Sequence, residues 1–350
     1  MPSPISTPQN ICILRLSAIG DTCHVVPVLR TLQQAWPESH FTWVIGALES
    51  RLMGAVPGVE FITVDKRAGH AARRDLARRL RGRQFDVLLH MQLALRASLI
   101  ARQIRATVKL GFDRPRAREL QWLFTNRRIA AHRREHVMDS FFGFAAALGV
   151  HERVLRWDVP VSEAAAARAA TLIPAAQRTL IISPCSSHTL RNWSAQRYAA
   201  VADYAVQVLG MQVLICGGPG DTDREMGAAI LRHARAPVSN RVGTDDLPQL
   251  LALLARATVL LSPDSGPVHM ATMVGTPVIG LYAATNPERT GPYCSRSWCV
   301  DAYGQAAQRF RGRPAAELPW TTKIEVPGVM DLIEVPQVTL KLDALLRSLP

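Results

Sequence analysis

The sequence is poor in the features that mark membrane-spanning, secreted and zinc-binding chains. No apolar run reaches the ~18–20 residues that a bilayer-spanning helix needs. The first ten residues lack a basic segment that leads into an apolar one, which is the pattern of a secretory signal. The six cysteines are scattered and form no CxxC pair or zinc-ligand spacing. We therefore expect a cytoplasmic protein with reduced thiols and no disulfide framework.

Acidic residues are also scarce relative to basic ones. The chain has 41 Lys and Arg against 28 Asp and Glu, for a formal net charge of +13. Residues 66–134, here called the basic belt, hold 19 basic residues and four acidic ones. Such a concentration favours an anionic partner, whether nucleic acid, an anionic membrane leaflet or an acidic substrate. The alternative is an arginine-rich surface that is exposed to solvent and binds no partner.

Short apolar runs alternate with segments of helical spacing along the chain. We predict strands at residues 11–16, 41–45, 61–64, 86–89, 179–182, 212–216, 258–261 and 278–281. We predict the main helices at residues 25–35, 75–83, 93–104, 195–209, 223–233, 247–255 and 267–274. This alternation is typical of βαβ units, which form parallel sheets with helices on both faces.

A chain of 350 residues is long for one core and suits two domains. We expect an α/β fold with two Rossmann-like, doubly wound parallel-sheet domains that face each other across a cleft. The expected domains are residues 1–160 and 161–334, and residues 335–350 are expected to form a closing helix. Because ligands bind outside the carboxyl ends of parallel strands, a ligand is predicted in the cleft.

The most informative segment is residues 262–287, SPDSGPVHMATMVGTPVIGLYAATNP. It predicts a strand, a turn, a helix, a second turn and a second strand. The first turn puts backbone N–H groups and a helix N-terminus at the end of a strand, where phosphate is well stabilised. An ordinary turn with a capping residue explains the bare pattern equally well. The DSGxxH string of Asp264, Ser265, Gly266 and His269 favours a nucleotide-phosphate site.

A second polar loop, SAIGDTCH at residues 17–24, follows the first strand. Gly20 permits a tight turn, and Asp21 projects from the strand end, where its carboxylate can take a proton from a substrate hydroxyl. Thr22 and His24 belong to the same loop. The alternative is that Asp21 only caps a helix that begins near Val25. Gly20 is isolated, so the loop is not the GxGxxG of a dinucleotide site.

Two further loops follow strands in the second half of the chain. SPCSSHTLRNW, residues 183–193, offers the hydroxyls of Ser186 and Ser187, and Arg191 offers a fork of donors suited to a diphosphate. CGGPGDTDRE, residues 216–225, lets a ligand approach its glycines, and Asp223 or Glu225 can bond ribose hydroxyls. Arg191 as a solvated surface residue is an equal alternative on this segment alone.

LRLSAIGDTCHVVPVLRTL, SPCSSHTLRNWSAQRY and the 262–287 string together resemble glycosyltransferase family 9. These are the ADP-heptose:lipopolysaccharide heptosyltransferases, and the likeness spans roughly residues 11–345. It implies a GT-B fold that binds the acceptor on the N-terminal domain and the nucleotide sugar on the C-terminal one. It also implies an inverting, metal-independent transfer of heptose from ADP-heptose to an acidic, lipid-linked sugar of the lipopolysaccharide inner core, with no cofactor. Residues 291–334 extend beyond the part that matches well-known members.

The resemblance also assigns roles to single residues. Asp21 matches the catalytic base, and Ser186 and Ser187 match hydroxyl residues near the donor phosphates. Arg191 stands where a lysine binds the diphosphate, and an arginine fork is not a lysine point charge. The donor motif matches at Asp264, near the sugar, at Ser265 and Gly266, whose backbone lies near phosphate, and at His269.

Two other functions remain open at this stage. One is a related transferase that uses a UDP- or GDP-hexose for a surface polysaccharide. The other is a non-catalytic protein that binds an anionic polymer, although the belt matches no familiar nucleic-acid module and no nucleic acid is expected. With a lipid-linked acceptor, the belt predicts peripheral, salt-sensitive contact with the anionic cytoplasmic leaflet of the inner membrane. The sequence leaves the oligomeric state open.

Overall fold

A computed structural model describes residues 7–349 of the chain. The chain divides into two compact units, residues 1–160 and residues 161–350, and each is described by itself. Within the described residues, no helix is both long enough and apolar enough to cross a bilayer.

The first unit is a six-stranded sheet with helices. Its strands are β1 (Asn10–Leu14), β2 (His40–Gly46), β3 (Glu60–Val64), β4 (Phe85–His90), β5 (Ala106–Gly111) and β6 (Arg127–Arg128). Its helices are α1 (Ile19–Ala35), α2 (Ala47–Met53), α3 (Gly69–Arg79), α4 (Leu95–Ala101) and α5 (Val137–Ala146). The strand order is β3-β2-β1-β4-β5-β6, and the neighbouring strands pair in parallel.

The central strand β1 shows why continuous apolar runs predicted the strands of this sheet. Its residues from Ile11 to Leu14 are all 0% exposed, and Ile13 lies opposite Trp43 of β2 and Leu89 of β4. A parallel strand covered by helices on both faces carries apolar residues on both, so it reads as a continuous run rather than an alternation.

Helix α1 corrects the predicted start near Val25, because it begins at Ile19. After Ile19, its first residues are small or polar, so they show no apolar periodicity that would predict a helix. Asp21 is the third residue of the helix, and its Oδ2 accepts a hydrogen bond from the backbone N of Ala18 at 3.4 Å. The N-cap position itself belongs to Ala18, so the interpretation of Asp21 as the N-cap is wrong.

The second unit repeats the architecture of the first. Its strands are β7 (Thr179–Ile182), β8 (Gln212–Ile215), β9 (Ser239–Asn240), β10 (Val259–Pro263), β11 (Val278–Tyr282) and β12 (Val300–Asp301). Its helices are α6 (Glu163–Leu172), α7 (Ala195–Gln207), α8 (Asp221–His233), α9 (Leu247–Arg256), α10 (Gly266–Met273), α11 (Pro287–Thr290), α12 (Tyr303–Arg311) and α13 (Val335–Ser348). The strand order is β12-β11-β10-β7-β8-β9, again with parallel pairs.

Helix α13 completes the second unit. It packs against α7, β11 and β12, and its Val338, Leu342 and Leu345 are 0% exposed. At its start, Glu334 caps the helix together with Gln337, whose side chain accepts a hydrogen bond from the backbone N of Glu334 at 2.8 Å. The helix is therefore part of the core of this unit.

Both sheets reverse their strand order at one point, between β1 and β4 and between β7 and β10. In open parallel sheets, ligands bind in the crevice outside the carboxyl ends of the strands at such a switch point. The polar loops singled out in the sequence follow β1, β7, β8 and β10. The fold thus gathers these loops at the ligand-binding edge of each sheet.

Candidate functional site

In the second unit, the site is built around the guanidinium of Arg191. Nε of Arg191 donates to Oε1 of Glu325 at 2.7 Å, and Nη2 lies 2.6 Å from the same oxygen. Nη1 donates to Oδ2 of Asp264 at 3.4 Å. The Arg191 side chain is only 12% exposed, so its fork is fixed between two carboxylates. The side chain of Arg191 is therefore fixed by two ion pairs, and Arg191 is not a solvated surface residue.

The residues on the far side of Arg191 come from the 291–334 extension. Backbone N of Ile324 donates to the carbonyl of Ala284 at 2.7 Å, which fastens the segment beside the carboxyl end of β11. Burial raises the pKa of Glu325, but the hydrogen bond from Arg191 and the charges of Arg191 and Lys323 outweigh it. The net result is a pKa below the ordinary value for Glu325, which keeps it ionised opposite Arg191.

Lys323 adds a second cation beside this pair. Burial lowers the pKa of Lys323 from its ordinary value, and the charge of Arg191 lowers it further, while Glu325 and Asp264 oppose the shift. Lys323 thus lies within the electrostatic reach of the same carboxylates. The extension supplies one acidic and one basic residue to the cluster.

The DSGxxH string lies where a strand becomes a helix. Ser265 is the N-cap of α10 and Gly266 its first residue, and the Ser265 hydroxyl is 2.8 Å from that of Ser262. The first N–H groups of a helix have no acceptor within it, and the helix dipole adds partial positive charge there. His269 is buried in the same helix, at 8% exposure. This end of α10 can bind an anion.

Asp264 has partners on both sides of the turn. Besides Arg191, its Oδ2 accepts from the hydroxyl of Thr290 at 3.3 Å. The carbonyl of Thr290 in turn accepts from the hydroxyl of Tyr282 at 3.2 Å. A contact network from α11 and β11 therefore orients the carboxylate of Asp264.

The remaining predicted donor residues lie in two loops at the same sheet edge. The Ser186 hydroxyl donates to the carbonyl of His188 at 2.9 Å, and Ser187 is exposed. Oδ1 of Asp223 accepts from the backbone N of Gly218 at 3.0 Å, so it closes the glycine-rich loop. Glu225 is exposed on the first turns of α8. Ser187 and Glu225 are thus the predicted donor residues of these loops that face solvent.

In the first unit, the site is an ion pair between Asp21 and Arg15. Nη2 of Arg15 bonds Oδ2 of Asp21, and Nη1 bonds the carbonyl of Met91. The Arg15 side chain is 10% exposed and the Asp21 side chain is 33% exposed. The carboxylate of Asp21 therefore reaches solvent, while the buried guanidinium of Arg15 holds it in place. The Arg15 guanidinium also lies 5.3 Å from the centroid of the Phe141 ring. Asp21 is a partly exposed, oriented carboxylate.

Two glutamines tie the loop after β1 to the end of β4. Oε1 of Gln92 accepts from the backbone N of Leu16 at 2.7 Å, and Nε2 donates to the Ser17 hydroxyl at 3.2 Å. Gln121, which is 0% exposed, donates to the carbonyl of Gln92 at 3.1 Å. The surroundings of Asp21 are therefore held by residues from three distant parts of the sequence.

The other predicted residues around Asp21 lie inside α1 rather than in a loop. Gly20 is its second residue and is buried. The Thr22 hydroxyl donates to the carbonyl of Ile19 at 2.7 Å. The ring of His24, 3% exposed, meets the ring of His136 edge-on with 5.5 Å between the centroids. Thr22 and His24 pack inward from the helix that carries Asp21.

Comparison with known proteins decides the family. The sequence profile of glycosyltransferase family 9 (heptosyltransferase) matches residues 73–319. The lipopolysaccharide core heptosyltransferase OpsX of Haemophilus influenzae is 40% identical over 338 residues, which are 97% of this chain and 97% of that protein. The chain belongs to glycosyltransferase family 9. It is a glycosyltransferase of the heptosyltransferase family, and the resemblance found in its motifs is confirmed.

Two solved structures share the fold of this family 9 chain. The glycosyltransferase family 9 protein of Veillonella parvula DSM 2008 superimposes with a TM-score of 0.81 at 23% identity, over 98% of this chain and 100% of that one. The ADP-heptose lipopolysaccharide heptosyltransferase II of Escherichia coli gives a TM-score of 0.74 at 18% identity, over 97% and 98%. The α/β, GT-B fold class predicted from the sequence is confirmed.

Several residues of the candidate site were not predicted from the sequence. Glu325, Lys323 and Thr290 lie in segments without a motif, and Arg15 lies at the end of a predicted apolar strand. An acidic residue in the 291–334 extension was the available signal for Glu325. Among residues 7–349, no group of three or more His, Cys, Asp or Glu side chains is placed to hold a metal ion.

Proposed function

We propose that this family 9 enzyme transfers heptose from ADP-heptose to an acidic, lipid-linked acceptor of the lipopolysaccharide inner core, with inversion and without a metal. The names of the H. influenzae and E. coli relatives support the donor and the pathway. The observation that carries the chemistry is the fixed guanidinium of Arg191 at the same sheet edge as the N-terminus of α10. Both groups favour an anion with several oxygens, such as a diphosphate.

We propose that the donor diphosphate binds the Ser265–Gly266 backbone and Arg191. Negative charge grows on the leaving diphosphate as the bond to the sugar breaks. Donors that are already in place stabilise this charge without reorganisation, which is the main source of electrostatic catalysis. Glu325 then has a positioning role, since its two contacts fix the direction of the guanidinium.

We propose that Asp21 accepts the proton of the attacking acceptor hydroxyl. General base catalysis of this kind contributes about 10²–10⁴-fold in rate. Arg15 orients the carboxylate through their ion pair. A single base and one displacement invert the anomeric centre, as in inverting glycoside hydrolysis.

The test is a transfer assay with purified enzyme, ADP-heptose and a deacylated lipopolysaccharide core acceptor, in EDTA. The product is expected to carry the inverted anomeric configuration by NMR, at a rate that EDTA does not change. Titration calorimetry with ADP, UDP and GDP tests the donor. Tightest binding of UDP or GDP would support a hexose donor instead, and a rate that needs added Mg²⁺ would contradict metal independence.

We also propose that the protein works at the cytoplasmic face of the inner membrane and contacts its anionic leaflet through the basic belt. The belt helix α3 has a single buried side chain, Leu76, and exposes Arg73, Arg74, Arg78 and Arg79. Exposed charges near an anionic surface contribute about 1 kcal/mol each, and salt screens them. Binding to vesicles with ~30% anionic lipid should fall steeply at ~1 M salt, where the Debye length is about 3 Å. Retention of full binding would contradict the proposal.

A further inference from the structure

Residues 114–124, RPRARELQWLF, form an exposed apolar tip within the basic belt, here called the tip segment. Leu120 is 50% exposed and Leu123 is 59% exposed; Leu120 is the N-cap and Leu123 the last residue of a single 3-10 turn, Gln121–Leu123. Trp122 and Phe124 are half-buried beside them. Two large aliphatic side chains are thus held in water on one short turn.

The exposure of these leucines does not come from a loose loop. Nε2 of Gln121 donates to the carbonyl of His90 at 2.8 Å, and its Oε1 accepts from the backbone N of Phe112 at 3.1 Å. Oε2 of Glu119 accepts from the backbone N of Leu95 at 2.6 Å. The tip segment is anchored at both of these points.

The backbone of the tip segment is strained where Leu120 is presented. Glu119 has φ of 49° and Leu120 φ of 60°, so two consecutive non-glycine residues lie in the left-handed region. Such conformations cost free energy and persist where the surrounding contacts impose them, often at functional sites. The anchoring of Gln121 and Glu119 therefore enforces the outward direction of the leucine.

The charge around the tip segment is mainly positive. Arg116 is paired with Asp113 and Glu135, whereas Arg114 and Arg118 of the segment and Arg128 of β6 are exposed. The guanidinium of Arg114 lies 5.1 Å from the centroid of the Trp122 ring. The acidic residue of the segment, Glu119, is already occupied by the backbone of Leu95. Trp and Leu flanked by Arg is the composition of segments that lie in the membrane interface.

We propose that the tip segment inserts Leu120, Leu123 and the edge of Trp122 into an anionic lipid surface, while the exposed Arg114, Arg118 and Arg128 bind lipid phosphates. A lipid surface fits better than a protein partner because two leucines offer far less than the ~1,000 Å² of a stable protein interface. Arginines spaced around an apolar tip also match phosphates spread over a plane.

The anchoring connects this insertion to the acceptor side of the enzyme. Gln121 donates to the carbonyls of His90 and Gln92, and Gln92 binds the backbone of Leu16 and the hydroxyl of Ser17, close to Asp21 in the chain. The tip therefore holds the Asp21 edge of this unit at the lipid surface. This second step rests on the proposed function, since it assumes that the acceptor is lipid-linked.

The experiment compares vesicle binding of the full chain and of the double variant Leu120→Ser/Leu123→Ser by flotation. The vesicles contain phosphatidylglycerol and phosphatidylethanolamine, and matched runs contain phosphatidylcholine alone. The matched control is Leu155→Ser/Leu340→Ser, because those leucines are 52% and 65% exposed and lie outside the tip segment. Thermal unfolding and ADP binding verify that each variant is folded.

The wild type and the control are expected to keep a salt-resistant fraction of binding to anionic vesicles. The tip variant should bind at least ~10-fold more weakly, because it loses the transfer of two leucines to lipid. Equal binding by the tip variant and the wild type would overturn the inference. Loss of a dimer in light scattering, with vesicle binding unchanged, would also overturn it and show that a second copy covers the tip.

Vesicle binding and sugar transfer are measured separately, so their failures are distinguishable. A wild type that binds vesicles through the tip but does not use ADP-heptose would contradict the proposed function alone. A wild type that transfers heptose while the tip variant binds vesicles normally would contradict this inference alone.

Discussion

Replacing Arg191 with alanine is the most direct probe of the donor edge. The guanidinium makes contacts of 2.7 and 2.6 Å with Glu325 and of 3.4 Å with Asp264, and its side chain is 12% exposed. Its removal takes away a cation and leaves two carboxylates facing the proposed diphosphate site. Hydrogen bonds to charged groups contribute about 1.5–3 kcal/mol each. Because 1.4 kcal/mol is tenfold, the loss of one such bond should make ADP bind Arg191→Ala about 10- to 140-fold more weakly.

Titration calorimetry with ADP and with AMP measures this change. AMP lacks the second phosphate, so its affinity should fall less than that of ADP. The matched control is Arg232→Ala, which removes the same charge from an exposed position on α8. An ADP Kd within about twofold of wild type, in an Arg191→Ala protein with an unchanged near-ultraviolet spectrum, would refute the assignment of Arg191 to the diphosphate.

A double variant separates the lost cation from the exposed carboxylate. In Arg191→Ala, Glu325 loses the arginine that lowers its pKa. At a pH where Glu325 is still ionised, its negative charge would repel a diphosphate at this site. Adding Glu325→Gln removes that charge, so we expect ADP affinity to recover about fivefold to tenfold, a coupling of roughly 1–1.4 kcal/mol. No recovery would show that the Glu325 carboxylate does not face the ligand.

Three other changes have defined outcomes. Asp21→Ala should lower kcat about 10²–10⁴-fold and leave ADP binding unchanged, and near-normal turnover in the transfer assay would remove Asp21 from the base role. Glu325 has a lowered pKa in the folded protein, so its stabilising contribution is present above the unfolded pKa of 4.5 and is lost as the pH falls through the folded value. In denaturant titrations, Glu325→Gln should therefore flatten the loss of stability below pH 4.5, and an unchanged slope would contradict the Arg191 pairing. Burial lowers the pKa of His90 from 6.5 to about 3, so the fold loses stability as the pH falls from 6.5 towards 3, by at most ~1.4 kcal/mol per pH unit. His90→Gln should flatten that interval, and a slope equal to that of wild type would show that His90 is not held neutral.

Most strands of both sheets were predictable because buried parallel strands carry their signal locally, although the six-residue strand β5 was missed. Strand β7 has the bounds that its apolar run predicts, and β10 and β11 differ from prediction by one or two residues. The loops that follow them were placed correctly at the carboxyl edge, since that edge follows from the strand direction alone. Short edge elements such as β6 and β12, of two residues each, carry no periodicity and were missed.

The contacts that orient the site were not predictable, because they join residues far apart in the sequence. Arg191 and Glu325 are 134 positions apart, and Leu16 and Gln92 are 76 apart. No motif contains both members of either pair, and a single sequence holds no record of which distant residues meet. Asp223 shows the opposite case. Its motif was visible in the sequence, but its carboxylate accepts a hydrogen bond from the backbone N of Gly218 in the same loop.

The place of α13 in the core has a consequence for how the protein is made. Residues of this helix at the far end of the chain, Val338, Leu342 and Leu345, are 0% exposed and pack on α7 and β11. Domains fold as units while the ribosome moves from the N-terminus onward. The Asp21 unit can therefore mature on the nascent polypeptide, whereas the Arg191 unit must wait until α13 has been translated. A ribosome that stalls before α13 would leave the first unit folded and the second unit unfolded.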